Sequence, residues 1–450
     1  MQVRNFQPFI AVAAGFALMG TAAHVPAQTT EPLSLAEAIA SAQAHHPSLE
    51  AAQARVDLAS AGLKQARASR LPTAVLGEDV TYSNDPVFAF GSKLRQGRFA
   101  QSDFSLDNLN HPDALANFSG SATVNWTALD MTSRHRIAAA SASVEAADLE
   151  RRYTSEQLAA RVIKLYYRAL SAEDQVLVAQ HALERAREVD GSVTDRVHAG
   201  LSLETDGSRA HLQVKSAEDD LAQAMDNVLL ARSDLFSAIG IAMTDQPLVR
   251  DSDTPGQASA DQADPKQRFD IEAFDQQAAA AHQEQSAAHA ALVPQISTFA
   301  HAENDAQKLV ANGSGNWTVG AKVTFTVFDG GLRKAREEQA AAQARSIEAQ
   351  KRVALIEVGS AQHALQAQMD DLQRRLTTAA DAIGVQKATL QTARDRYASG
   401  LVPLTDVLNA ETDLATAELT QVRTRYQLLT TSADLALATG TPLASKAGQQ

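Results

Sequence analysis

The sequence holds no cysteine in its 450 residues. That excludes disulfides, thiolate nucleophiles, iron–sulfur clusters and cysteine-ligated zinc, and also acylation of an N-terminal cysteine. Positive charge is scarce: 40 Lys+Arg against 53 Asp+Glu leave a formal net charge of −13. Neutralising phosphates needs a basic face, so nucleic acid is not an expected partner. Aromatic residues are only 5% although apolar residues reach 45%, with alanine filling much of the gap. Such a chain reads as long, closely packed helices rather than an aromatic-centred enzyme core. Beyond the N-terminus no apolar run of about 18 residues occurs, so no membrane-spanning helix is expected. A membrane strand, by contrast, needs only about ten alternating residues.

The first 27 residues read as an export signal. Arg4 supplies the positive start, 9–19 is a short apolar stretch, and Val25-Pro26-Ala27 places small residues at a cleavage site. The mature chain is expected to begin near Gln28.

The sequence repeats itself. Arg196, Gly200, Leu201, Thr205 and Asp206 recur as Arg396, Gly400, Leu401, Thr405 and Asp406, and Gly240 recurs as Gly440. Trp126-Thr127-x-Leu129-Asp130 recurs as Phe325-Thr326-x-Phe328-Asp329, and Pro72 matches Pro294. Matched Gly, Pro and Asp at fixed offsets indicate two copies of one unit. The expected organisation is a signal (1–27), a first repeat (28–240), a linker (241–265), a second repeat (266–440) and a C-terminal tail (441–450).

Each copy offers two strands. Residues 116–129 alternate, with Phe118, Val124 and Trp126 on one face and Ser119, Thr123 and Asn125 on the other; 317–328 alternate likewise. Their partners, 73–82 and 295–304, each open just after a proline. In copy two the strands join across Asn312-Gly313-Ser314-Gly315, a turn pattern. In copy one the join is expected to be a long loop, 83–115, carrying Phe88, Phe90, Phe99 and Phe104.

The rest has heptad spacing. Leu158, Val162, Leu165, Ala169 and Ala172 follow it, as do Leu365, Met369, Leu372 and Leu376. Residues 130–198 and 329–398 predict two helices of about 100 Å each, both ending at a Gly-Leu turn. The return of the first is split into 206–239 and 269–293; that of the second, 406–439, is completed by 34–70 from the N-terminus. Four strands cannot close a barrel, for which about eight is the minimum. Obligate assembly follows, with the number of copies left open.

Three motifs resemble the TolC-like outer-membrane efflux protein family. They are Leu33-Ser34-Leu35-x-Glu37-Ala38-Ile39, Val327-Phe328-Asp329-Gly330-Gly331 entering a helix, and Arg396-Tyr397-x-x-Gly400-Leu401-x-x-x-Thr405-Asp406. The resemblance implies a mainly α fold with a transmembrane β part: a homotrimer whose 12-stranded barrel stands on a 12-helix periplasmic tunnel. It implies an exit duct for a tripartite efflux pump, served by a periplasmic adaptor and an inner-membrane transporter and embedded in outer-membrane lipid. The outer component of a type I secretion system is the alternative; a periplasmic coiled-coil scaffold explains the heptads but not the strands. Matching to the family puts Asp406 on an acidic aperture ring and sets Asp206 opposite Tyr397 as a closing hydrogen bond, with Thr205 and Thr405 beside them. Gly200-Leu201 and Gly400-Leu401 become the tips where the adaptor docks. Two positions depart from the pattern: Asn409 is neutral where an acid is frequent, and Val402 stands where a latch arginine is known. No Walker loop, Rossmann fingerprint, nucleophile elbow or HExxH is present, so no enzyme is expected. The twelve histidines form no ligand set at metal-binding spacing, and no cofactor is expected.

Overall fold

The computed structural model describes residues 32–250, 267–309 and 313–443. The expected signal, most of the expected linker, Asn312 of the expected turn and most of the expected tail lie outside these residues. In chain order the elements are α1 (Leu35–His45), α2 (Pro47–Ala68), β1 (Thr73–Ser83), α3 (Pro86–Arg95), a 3-10 turn (Gln101–Phe104) and α4 (Leu106–Asn110). Then follow β2 (Leu115–Leu129), α5 (Met131–His198), α6 (Glu204–Ile239), α7 (Phe269–Ala290), β3 (Gln295–Ala306), β4 (Ser314–Thr324), α8 (Leu332–Ala398) and α9 (Leu404–Thr439).

The four strands form one antiparallel sheet in the order β1-β2-β3-β4. Pairing β2 with β3 joins the two repeats, so neither repeat owns a sheet by itself. Register puts Leu76, Val80, Tyr82, Val124, Trp126, Trp317, Val319 and Val323 on one face. This face is open: Leu76 is 83% exposed and Trp317 77%. The other face is polar and knitted across β2 and β3. Asn117 donates to Asp305 (2.6 Å), Ser119 donates to Glu303 (2.6 Å), and Thr123 meets the His301 ring (2.8 Å). An apolar outside and a polar inside is the pattern of a membrane barrel wall. No helix among the described residues is long and apolar enough to cross a membrane.

Two expectations need correction. The 83–115 segment is not an open loop: it folds as α3, the 3-10 turn and α4. Phe99 packs edge-on between Phe90 (4.8 Å) and Phe104 (5.1 Å). Buried Gln96 Nε2 shares its two N–H groups among Asn117 Oδ1 and the carbonyls of Ala116 and Ala306, pinning the cap to the sheet. β4 also stops at Thr324 rather than running to Phe328, because its partner β3 begins opposite, at Gln295. Residues 325–328 have no strand to pair with. Ser314 and Gly315 belong to β4, so the reversal lies ahead of them.

Below the sheet, α5 packs on α6 and α8 on α9 as two antiparallel hairpins, joined side by side through α5 and α9. α2 lies along α5 as α7 lies along α8, and both are 22 residues long. Midway, Ile39, Val162, Tyr166, Leu235, Phe236, Ile239, Tyr426 and Leu429 form the largest core, from α1, α5, α6 and α9. Here Leu33 makes a parallel bridge to Leu248. The Tyr166 hydroxyl lies within hydrogen-bond distance of the carbonyls of Leu33 (2.8 Å) and Val249 (2.7 Å) and shares its one proton between them, which holds the N-terminal segment and the segment after α6 against α5. Ser34 caps α1 in a reciprocal box with Glu37, holding that carboxyl below its ordinary range.

Tyr166→Phe removes this donor while keeping the ring. A buried carbonyl left short of its partner costs about 1–3 kcal/mol. Limited proteolysis should then cut near 33 and 249 faster, with the barrel's heat-modifiable migration unchanged.

Candidate gate at the helical tips

Both hairpins turn in the same way. Gly200 and Gly400 each have φ +75, a conformation that costs an L side chain about 1 kcal/mol or more. The Leu201 N–H donates to the Arg196 carbonyl (2.8 Å) and the Leu401 N–H to the Arg396 carbonyl (2.9 Å). These bonds close each helix at its C-terminus. Leu201 and Leu401 are left 67% and 75% exposed.

The returning helices begin without a side-chain cap, since Leu203 and Pro403 occupy the cap positions. Thr205 and Asp206 lie in the first turn of α6, Thr405 and Asp406 in that of α9. Both aspartates therefore complement the helix dipole without making a capping hydrogen bond. Asp206 and Thr405 are half-buried; Thr205, Asp406 and Asn409 are exposed. Asp406 lines a groove of about 510 Å³ with Val385, Thr389, Ala393, Arg396 and Val402.

Tyr397 has a different partner from the one expected. Its hydroxyl meets Ser202 Oγ at 3.0 Å, not Asp206. Ser202 sits in the turn itself, level with the last turn of α8, whereas Asp206 begins a helix one turn further on. Arg196 completes the clasp: its guanidinium stacks on the Tyr397 ring (5.0 Å) and donates to the Ala398 carbonyl (2.9 Å). Each tip thus holds the other.

Further up, charge is buried between the hairpins. Glu411 accepts from Arg185 (3.0 Å) and from Arg394; Arg185 also reaches Glu418 (3.2 Å), and Arg394 reaches Glu188 (3.6 Å). The Glu411 side chain is only 7% exposed. Val189, Val193, Leu390, Leu404, Val407 and Leu414 form the apolar core of the tip. Higher still, Tyr426 donates to Asp174 (2.7 Å). Burial, then the Asp174 hydrogen bond and charge, push this phenol well above its ordinary range. Arg196 belongs to the repeat visible in the sequence, but its partner Tyr397 lies on the other hairpin, and Arg185 and Glu411 meet across 226 residues. No spacing rule reaches that far.

Among the described residues no group of His, Asp and Glu could hold a metal. A two-tipped helical mouth beneath an open four-stranded sheet can pass or stop solutes.

The sequence model of the outer membrane efflux protein family matches residues 38–241 and 265–441. The chain belongs to this family. Solved structures share its fold. The outer membrane protein VceC of Vibrio cholerae is 21% identical with a TM-score of 0.75, covering 90% of this chain and 96% of that one. The outer membrane channel CmeC of Campylobacter jejuni is 16% identical (TM-score 0.74; 91% and 86% covered). The outer membrane channel MtrE of Neisseria gonorrhoeae, solved in its open state, is 20% identical (TM-score 0.72; 91% and 89% covered). No curated protein matches the sequence. As an outer-membrane efflux protein, the chain places its sheet in the outer membrane and its long helices in the periplasm.

Glu411→Ala strands two partly buried arginines between the hairpins. This should cost about 2–4 kcal/mol, somewhat less than a fully buried pair. Apolar replacement of the whole set, with Glu411→Leu, Arg185→Met and Arg394→Met together, should recover most of that loss. Thermal unfolding followed by helical circular dichroism reads both.

Proposed function

We propose that the chain is the exit duct of a tripartite efflux pump, passing solutes from an inner-membrane transporter and periplasmic adaptor to the exterior. The observation that carries this reading is a four-stranded sheet, open at both edges, mounted on two helices of 68 and 67 residues. At about 1.5 Å per residue those helices reach about 100 Å. Lipid cannot satisfy the free N–H and C=O groups of β1 and β4. Three copies edge to edge supply three times four strands, a closed barrel, and continue downward as a helical tunnel. Conduction is read as passive, since the sequence contains no Walker loop to couple it to nucleotide hydrolysis.

The adaptor docks at the tips. Leu201, Leu203 and Leu401 are exposed there, at the end farthest from the sheet. A Cβ added at Gly200 or Gly400 has open space around it, although the φ of +75 strains any side chain there. Bulk at these positions therefore probes what approaches from outside. Native mass spectrometry in detergent should show three chains, and Gly200→Trp with Gly400→Trp should abolish efflux while the trimer persists. A stable detergent-free monomer would sink the duct, and normal efflux in the double mutant would sink tip docking.

Asp406 sets cation preference. Three copies place three carboxylates around one axis, and such a ring attracts cations and repels anions. Asn409 is neutral and Val402 apolar, so this ring stands with little reinforcement. In planar bilayers Asp406→Asn should shift the reversal potential toward lower cation selectivity, and Tyr397→Phe, which loses the Ser202 bond, should raise open probability. A trimer that loses stability with an unchanged reversal potential would reduce Asp406 to a helix-end charge.

A further inference from the structure

Both long helices begin basic. Residues 130–136 and 329–336 hold five Lys and Arg against two Asp, in a chain that is acidic as a whole. Neither α5 nor α8 has an acid in its first turn. A helix N-terminus favours acids and disfavours bases, so helix stability does not account for these arginines.

Three of them face one cavity of about 690 Å³, a volume that suits a small organic molecule. Arg136 comes from α5, Arg333 and Arg336 from α8, and Glu284 from α7; Asp329 and Thr326 come from the segment ahead of α8. α7 packs against both α5 and α8, and its Ala281 and Ala287 form a floor of small residues. All the walls belong to one chain, so the cavity exists before any assembly. Asp329 is already engaged. Its carboxylate accepts from the backbone N–H groups of Gly331 (3.1 Å) and Arg333 (3.0 Å) and lies 3.7 Å from the Arg333 guanidinium. Arg136, Arg336 and Glu284 make no hydrogen bond or ion pair among the described residues. Two free guanidiniums against one free carboxylate leave the cavity with an excess of positive charge. Forked guanidinium donors match the paired oxygens of a phosphate or a carboxylate. Thr326 lies two residues beyond Thr324, which ends β4 on the polar face of the sheet. Lys322, on the same face just above, is also a base without a partner among the described residues.

We infer that this cavity binds an oxyanion, the phosphate or carboxylate group of a solute in transit, on the lumenal side where the sheet meets the long helices. The inference rests on the duct reading. Arg136 and Arg336 hold the anionic group from opposite walls. Arg333, already paired with Asp329, adds field more than contact, and Glu284 opposes the anion. The same chemistry is carried by the phosphates of outer-membrane phospholipids, so the test has an arm for each source.

Pyrophosphate is titrated against channels of the full chain in planar bilayers of phosphatidylcholine, free of divalent cations. It is added on the side opposite the helices, because the Asp406 ring repels anions at the tips. The current through the unmutated channel should fall as pyrophosphate rises. Arg136→Gln with Arg336→Gln should raise the half-blocking concentration about a hundredfold, about tenfold for each charge-assisted hydrogen bond lost. Glu284→Gln should lower it. Lys334→Gln makes the same change of charge at an exposed position outside the cavity and should leave it unchanged. Block that survives the double variant, or an equal loss in Lys334→Gln, would overturn the site. Native mass spectrometry of trimers purified with phosphatidylglycerol gives the lipid arm. If the double variant loses retained phosphatidylglycerol while pyrophosphate leaves the unmutated channel unblocked, the cavity faces lipid and the lumenal site is overturned. Channels that conduct but ignore pyrophosphate sink only this inference, whereas a chain that forms neither trimer nor channel sinks the duct reading with it.

Discussion

The unpaired edges of β1 and β4 govern everything else in this molecule. A backbone N–H or C=O facing hydrocarbon costs several kcal/mol, so a strand edge cannot be left in the membrane. Four strands are too few to curl back on themselves. The sheet must meet other copies of itself, and the helices hung below it must follow at the same spacing. The alternation of the strands then has only one consistent assignment. The face of Leu76, Val124 and Trp317 meets lipid, and the face of Asn117, Thr123 and Glu303 meets the lumen.

Alanine is the second constraint. Long helices that must lie nearly parallel over about 100 Å need close approach along their whole length. Ala159, Ala160, Ala169, Ala217, Ala231 and Ala410 provide it at buried positions. Small residues bury little area each, so the larger side chains concentrate where several helices meet. One such place is the middle, around Tyr166, Phe236 and Tyr426; the other is the tip, around Leu404 and Val407. Between these nodes the hairpins are joined by charge, with Glu411 shared between Arg185 and Arg394. A buried ionic contact of this kind fixes geometry more than it adds stability.

The duplicated sequence has kept its frame while its contacts diverged. Turn geometry at Gly200 and Gly400 is the same to the degree. The surfaces beside those turns are not: Ser202 against Val402, Val197 against Tyr397, Arg185 against Val385. Arg185 and Ser202 meet partners in their own chain, whereas Val385 and Val402 line a groove on its outer face.

Most of the architecture could be read from the sequence. Period two marked the strands, heptads marked the helices, and glycines at equal offsets marked the turns, because each is a local property of backbone and side-chain direction. The helical cap over 86–110 was read as a loop, since short helices held by Phe99 and Gln96 carry no period of their own. The four residues 325–328 alternate as well as any strand but have no partner, and only pairing makes a strand. At the tip, Asp206 and Tyr397 were set together by resemblance, whereas the fold brings Ser202 and Arg196 to the tyrosine. What the sequence by itself determined was the existence of the long helices, the four strands and their doubling, all set within a few turns of chain. What only the tertiary structure decided was which charges meet: Arg185 finds Glu411 across 226 residues because α5 and α9 run side by side. That neighbourhood is created by packing and is written in no single stretch of the chain.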